Sequence, residues 1–279
     1  MGDYFGLEGK LVATQRISTD IDSMPRGGPN ARLADRWLQT AHLEYTDRSD
    51  VPDSIKQAVI GALVQIGTHY GTHEANARLV ADMVADIAHP RILELGAGHG
   101  LLSQRVLDLH HGALVTVSDI DPALVAAIAA GPLGSHPRAT VRRIDATAID
   151  APDNSVDVVV LAAGFHHLPP GAAARAISEA TRVGAKFLVI DGIRPEEPSK
   201  LLLRYLILPP VVGAVMLFRL GSRWSAILPT VHDSFITCLR HYSRAALEAL
   251  AAVHPSITVE FPATDRIEAD DKPVIFARP

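Results

Sequence analysis

Val158, Val159, Val160 and Leu161 form an apolar run with no polar residue alternating through it. A strand with one wet face alternates apolar and polar side chains, so this run belongs inside a sheet covered on both faces. The cover has to come from helices, and the neighbouring sequence supplies them in alternation. Short apolar runs at 91–95, 114–118, 140–144, 156–161 and 187–191 are separated by stretches of helical spacing, the rhythm of a parallel α/β sheet. Further on, Ser243 is placed to cap a helix carrying Leu247 and Leu250. Runs at 257–261 and 274–277 are close enough in sequence to pair as an antiparallel hairpin, which brings the strand count to seven.

Upstream of the first strand the texture differs. Residues 1–50 are irregular, with Pro25, Gly27, Gly28 and Pro29 marking a loop or arm. Ile55, Val59, Leu63 and Ile66 then recur at helical spacing. A second run, Leu79, Val80, Met83, Val84 and Ile87, follows Thr72 as its N-cap. The expected division is an N-terminal arm and helical extension over 1–88 and a main domain over 89–279, with an insertion at 195–240.

The turn after the first strand reads Glu94, Leu95, Gly96, Ala97, Gly98, His99, Gly100 and opens the next helix. Glycines suit a tight turn whose backbone approaches a ligand, and the helix N-terminus beyond offers unpaired N–H groups. The dinucleotide fingerprint G-x-G-x-x-G would need a glycine where Leu101 stands, so the G-x-G-x-G spacing behind an acid points away from a nicotinamide or flavin cofactor.

With these landmarks the chain resembles the class I S-adenosylmethionine-dependent methyltransferases over roughly residues 75–194. Glu94 to Gly100 is similar to that family's first motif. Asp119, in V-T-V-S-D-I-D-P, stands where the family places the acid that binds the ribose hydroxyls; Asp121 competes for the role, but an acid closing the strand fits better, and Pro122 suits a helix start. Asp145 and Ala146 resemble the adenine-binding step. D-N-S-V-D-V-V-V-L followed by F-H-H-L resembles the fourth-strand motif. The resemblance implies a Rossmann-like, mostly parallel seven-stranded sheet with helices on both faces and a C-terminal antiparallel hairpin. It also implies S-adenosylmethionine as cofactor, held by Glu94, Gly96, Gly98, Gly100, Asp119, Asp145, Ala146 and Ala162. In such enzymes the neighbourhood of Tyr70 contributes contacts over the methionine end of the cofactor.

Methyl transfer from a sulfonium is an in-line displacement, so the protein supplies alignment, desolvation and, for a hydroxyl acceptor, a base. His166 and His167 lie just past the fourth strand, on the carboxyl edge where α/β sheets bind ligands; either takes the acceptor's proton or orders the loop. His232 beside Asp233 and His99 in the glycine turn are secondary candidates. His69 and His73, interrupted by Gly71, have no evident third ligand, and no metal site is expected.

A net charge of −5 excludes a general nucleic-acid binder, and the fourth strand is followed by Ala162, Ala163, Gly164 and Phe165 rather than an Asn/Asp-Pro-Pro-aromatic tetrad. The expected partner is therefore a small-molecule methyl acceptor, apolar or aromatic, with O-methylation favoured. The alternative is a non-catalytic S-adenosylmethionine-binding partner subunit. Leu201, Leu202, Leu203, Tyr205, Leu206, Met216, Leu217 and Phe218 suit a hydrophobic lid, ordinary core, a homodimer contact or an interfacial anchor. Arg204 and Arg219, with a helix break at Pro209 and Pro210, argue against a stable membrane span. A lone cysteine, Cys238, and the absence of a basic, apolar leader point to the cytoplasm.

Overall fold

A computed structural model describes residues 21–263 and 271–278. Seven strands form one sheet in the order β3-β2-β1-β4-β5-β7-β6. These are β1 (Arg91–Leu95), β2 (Leu114–Asp119), β3 (Ala139–Arg143), β4 (Val156–Ala162), β5 (Gly184–Gly192), β6 (Thr258–Glu260) and β7 (Asp271–Ala277). The first five run parallel, whereas β7 is antiparallel to both β5 and β6. The five parallel strands and the closing hairpin expected from the sequence are all present, with ends differing by a few residues.

The valine run behaves as its lack of alternation requires. Val159 and Leu161 face one core with Phe187, Val189 and Phe276, while Val158 and Val160 face the other with Ile92, Leu188 and Ile190. The first core is closed by α6 (Pro170–Val183) and α9 (Arg244–Ala251), through Ile177, Leu247 and Leu250. On the opposite face lie α3 (Thr72–Met83), α4 (Leu101–Leu109) and α5 (Pro122–Ala130), through Val80, Val106 and Ile128. Helix α3, assigned from sequence to the extension, thus belongs to the packing of the sheet, because Ala77 and Val80 with the following Val84 form its buried stripe. Its N-cap is Gly71 at φ +65°, not Thr72, which is already the first helical residue.

Ser243 caps α9 as expected, its hydroxyl accepting from the Ala246 N–H at 3.1 Å. Ser243→Ala should lower stability by about 1 kcal/mol and the thermal midpoint by about 2–4 °C in a melt followed by circular dichroism.

Before the sheet come the short α1 (Leu33–Trp37) and the long α2 (Asp53–His69). The insertion folds as two helices, α7 (Pro198–Phe218) and α8 (Trp224–Arg240). The expected break at Pro209 and Pro210 does not occur. Helix α7 runs through both prolines, with Pro209 buried and the flanking turns packed on α8, so tertiary contact outweighs the two missing backbone donors. By length and composition the uninterrupted helix is able to cross a membrane, contrary to the sequence argument, although it is largely exposed.

Candidate active site

The parallel strands deliver their carboxyl ends to one edge of the sheet, and the residues singled out in the sequence gather there. Between β1 and α4, Gly96, Gly98 and Gly100 all take positive φ, at +62°, +57° and +72°. At Gly100 the reason is also steric, because a Cβ would come within 2.5 Å of Leu133 Cδ1. Among the described residues nothing lies within 4 Å of where a Cβ would stand on Gly96 or Gly98, so the turn leaves open space beside its backbone.

Asp119 closes β2 and turns towards this space. Its Oδ2 accepts from the Gly98 N–H at 3.0 Å and its Oδ1 from the Asp121 N–H at 2.9 Å. A carboxylate has about four acceptor sites, so two remain. Asp121 does different work, capping α5 by accepting from the Ala123 N–H at 2.8 Å. Glu94 lies under the turn, where its carboxylate accepts from the backbone N–H and hydroxyl of Ser103 in the first turn of α4. Burial raises its pKa, against the Ser103 bonds and with help from Asp119, up to about 7. Glu94 therefore orders the frame of the turn. Asp145 is exposed beyond β3, its Oδ1 bound to the Thr147 N–H and hydroxyl at 2.8 Å; Ala146 packs half-buried beside it. Ala162 ends β4, and Ala163 follows at φ +53°, an uncommon conformation for alanine that turns the chain off the sheet. Tyr70 stands exposed at the end of α2, edge-on to His69, outside this hydrogen-bonded frame. His99 is exposed as well.

His166 and His167 sit in the short turn after β4, clamped by the N-terminal arm and α8. His166 is buried; its Nδ1 lies 2.9 Å from Asp191 Oδ2, its backbone N–H donates to the same oxygen at 2.9 Å, and its Nε2 faces Glu44 Oε1 at 3.4 Å. Burial opposes charge on this ring, but Asp191 and Glu44 outweigh it and push its pKa up to about 10. The same pairing holds Glu44, despite its burial, down to about 2, and Asp191 well below the carboxylate range. His241 also reaches Asp191, Nε2 to Oδ1 at 3.4 Å, yet burial drives it down to about 4 and keeps it neutral.

His167 is held differently. Its Nδ1 bonds to Asp47 at 2.9 Å, its Nε2 is 3.8 Å from Glu44, and the side chain is partly exposed. Arg240 fastens the arrangement by bonding Asp47 Oδ2 and the His167 carbonyl, each at 2.6 Å. Arg26 ties the arm down, donating to the His166 and Arg240 carbonyls and stacking over Tyr242 at 4.5 Å. Glu44, His166 and His167, and likewise His166, Asp191 and His241, bring ligand atoms within 4.8 Å, so either trio has metal-ligating residue types; the His166 ring pairs with both Asp191 and Glu44.

Glu44, Asp47, Asp191, His241, Arg26 and Arg240 were not anticipated. Only Asp191 carried a readable signal, as an acid at the end of the apolar run 187–191, much as Asp119 closes β2. His232 bonds to Asp233 at 2.9 Å and stacks on Tyr45, with ring centroids 4.1 Å apart. It lines an open groove of about 840 Å³ between the arm and the insertion, together with His42, Leu43, Tyr205, Phe235 and Leu239. Of the eight residues expected to form an apolar lid, Tyr205 alone lines this groove. Leu201 and Met216 are fully buried instead, and Leu202, Leu203, Leu206 and Phe218 face outward.

Comparison with known proteins agrees with this architecture. Residues 92–186 match a family model described as a methyltransferase domain. Among solved structures, the plantazolicin methyltransferase BpumL, in complex with SAH, is 10% identical with a TM-score of 0.58, covering 95% of this chain and 99% of its own. A Nostoc punctiforme protein assigned as an O-methyltransferase is 17% identical (TM-score 0.56, 86% of this chain), and human N-acetylserotonin methyltransferase, in complex with SAM, is 16% identical (TM-score 0.56, 88% of this chain). The chain spans 64% of the length of each of these last two. No curated protein sequence matches it. Residues 92–186 carry a methyltransferase domain, and the chain shares the fold of these solved methyltransferases.

Proposed function

We propose that this chain transfers a methyl group from S-adenosylmethionine to a hydroxyl of a small apolar or aromatic acceptor, in the cytoplasm. The observation that carries the reading is the joint geometry of the glycine turn and Asp119. Open space beside Gly96 and Gly98 adjoins a buried carboxylate with acceptor sites to spare, which fits a nucleoside bearing two ribose hydroxyls. Asp145 Oδ2 is left to accept from an adenine amine, and the small side chains of Ala146 and Ala162 leave room beside it. The bound cofactor supplies an electrophilic methyl.

The two histidines take different parts in this reading. His166, paired with Asp191 and Glu44, is already protonated at neutral pH and has no lone pair to offer an acceptor. It is a positioning residue that joins β5, the turn after β4 and the arm. His167 keeps Nε2 outside hydrogen-bond range of Glu44, while Asp47, held down to about 2, fixes Nδ1. A carboxylate that orients one ring nitrogen leaves the other to take a proton, and we assign the general base to His167. The groove beside the clamp has a volume in the range of small-molecule sites, and Leu43, Tyr205, Phe235 and Leu239 supply an apolar and aromatic wall.

Incubation of the protein with isotopically labelled S-adenosylmethionine and a metabolite extract should transfer label to a small molecule. Binding of S-adenosylhomocysteine without transfer to any compound would favour a non-catalytic partner subunit. Asp119→Ala should weaken S-adenosylhomocysteine binding by about 1.5–3 kcal/mol, roughly 10- to 150-fold in Kd by calorimetry. An unchanged Kd removes Asp119 from the site.

A further inference from the structure

Helix α7 presents an unusual outer face. Leu202, Leu203, Leu206, Ile207, Pro210, Val211, Ala214 and Phe218 are all exposed, Leu203 and Leu206 at 57% and Phe218 at 81%. At 100° per residue these positions fill one half of the helix, and the buried Leu201, Pro209 and Met216 lie on the other half. The apolar stripe from Leu203 to Phe218 is about 22 Å long at 1.5 Å per residue. Trp224 and Leu228, in the first turns of α8, are exposed as well. An apolar strip of this length is more than the scattered leucines of an ordinary surface.

The charges at the two ends of the strip differ. At the N-terminal end Lys200 is paired with Glu197 at 2.9 Å, beside Glu196, whereas Arg219 and Arg223 stand at the other end and residues 198–232 contain no Asp or Glu. Arg219 and Arg223 are exposed and form no ion pair among the described residues. A bilayer carrying anionic headgroups offers an apolar layer for the stripe and negative charge for Arg219 and Arg223. Trp224 beside the arginines is the residue type that settles at such a boundary.

We infer that α7 docks this chain on the surface of an anionic bilayer, lying in the plane of the interface. Helix α7 lies flat rather than crossing, because its inner face is fixed: Met216 packs with Ile227 of α8 and Ala62 of α2.

Flotation of the full chain with vesicles tests this. The protein should float with phosphatidylcholine–phosphatidylglycerol vesicles, much less with phosphatidylcholine alone, and less again at high salt. Leu206→Asp with Phe218→Asp should reduce partitioning by about tenfold or more. Both side chains are exposed, so the circular-dichroism melt of this variant should match wild type. Arg219→Glu with Arg223→Glu should remove the preference for anionic vesicles without altering the melt. Failure of the wild type to float, or equal flotation by the folded Leu206/Phe218 variant, overturns the inference. So does a wild-type dimer in light scattering that the Leu206/Phe218 variant converts to monomer with no vesicle binding by either, since a second copy would then cover the face.

Discussion

Replacing His167 by Ala should cut methyl-transfer turnover by about 10²–10⁴-fold, the usual contribution of a positioned general base, while S-adenosylhomocysteine affinity stays at the wild-type value. The split between the two readouts matters, because His167 lies in the turn after β4, whereas the glycines, Asp119 and Asp145 proposed to hold the cofactor follow β1, close β2 and follow β3. Asp47→Asn should reduce turnover by a smaller factor. It keeps a hydrogen-bond partner for Nδ1 near its present 2.9 Å but removes the charge that stabilises the imidazolium formed during transfer. Turnover is measured on the compound that acquires label in the extract assay, with initial rates at saturating cofactor. Wild-type turnover in His167→Ala would remove the base from the mechanism and leave proximity and desolvation as the catalytic devices. A parallel loss of cofactor affinity would instead make His167 part of the frame of the site.

What could be read in advance was the part of the molecule written in local patterns. Val158 to Leu161 announced a central strand, the glycine spacing announced the turn, and Asp119 announced itself by closing a strand. Each signal occupies a few consecutive residues, where backbone geometry and side-chain pattern constrain one another directly. The clamp around His166 and His167 has no such signature. Asp47 is 120 positions from His167, Arg26 is 140 from His166, and Asp191 is 25 from His166. Nothing in the spacing of Glu44 and Asp47 distinguishes them from surface acids in an irregular arm. Helix α7 eluded local reading for another reason. Two consecutive prolines ordinarily stop a helix, and only the contact with α8 explains why they do not stop this one. The same contact decides that Met216 faces inward and Phe218 outward, although both are large and apolar and lie two residues apart.

His166→Ala should be the most destabilising single change at the edge of the sheet, at about 3–5 kcal/mol, because it strips the cation from a buried ion cluster and leaves Asp191 and Glu44 desolvated without it. For a domain of this size that is a fall on the order of 10 °C in the thermal midpoint. The pH dependence separates this loss from that of a mere cavity. The pKa of His166 is raised in the folded chain to about 10, above its ordinary 6.5, so its contribution is complete below pH 6.5 and is lost as the pH climbs through 10. Glu44, lowered to about 2 from 4.5, contributes fully above 4.5 and loses its contribution as the pH falls through 2. His241, lowered to about 4 from 6.5, favours the folded state above 6.5 and ceases to as the pH falls towards 4. These opposed slopes meet near neutrality, and thermal midpoints measured across the pH range should pass through a maximum there. In His166→Ala the alkaline fall between pH 6.5 and 10 should flatten, because the group that loses its proton there is gone. A wild-type alkaline slope retained in the variant would assign that slope to other groups and leave His166 neutral in the folded chain, free to compete with His167 for the acceptor's proton.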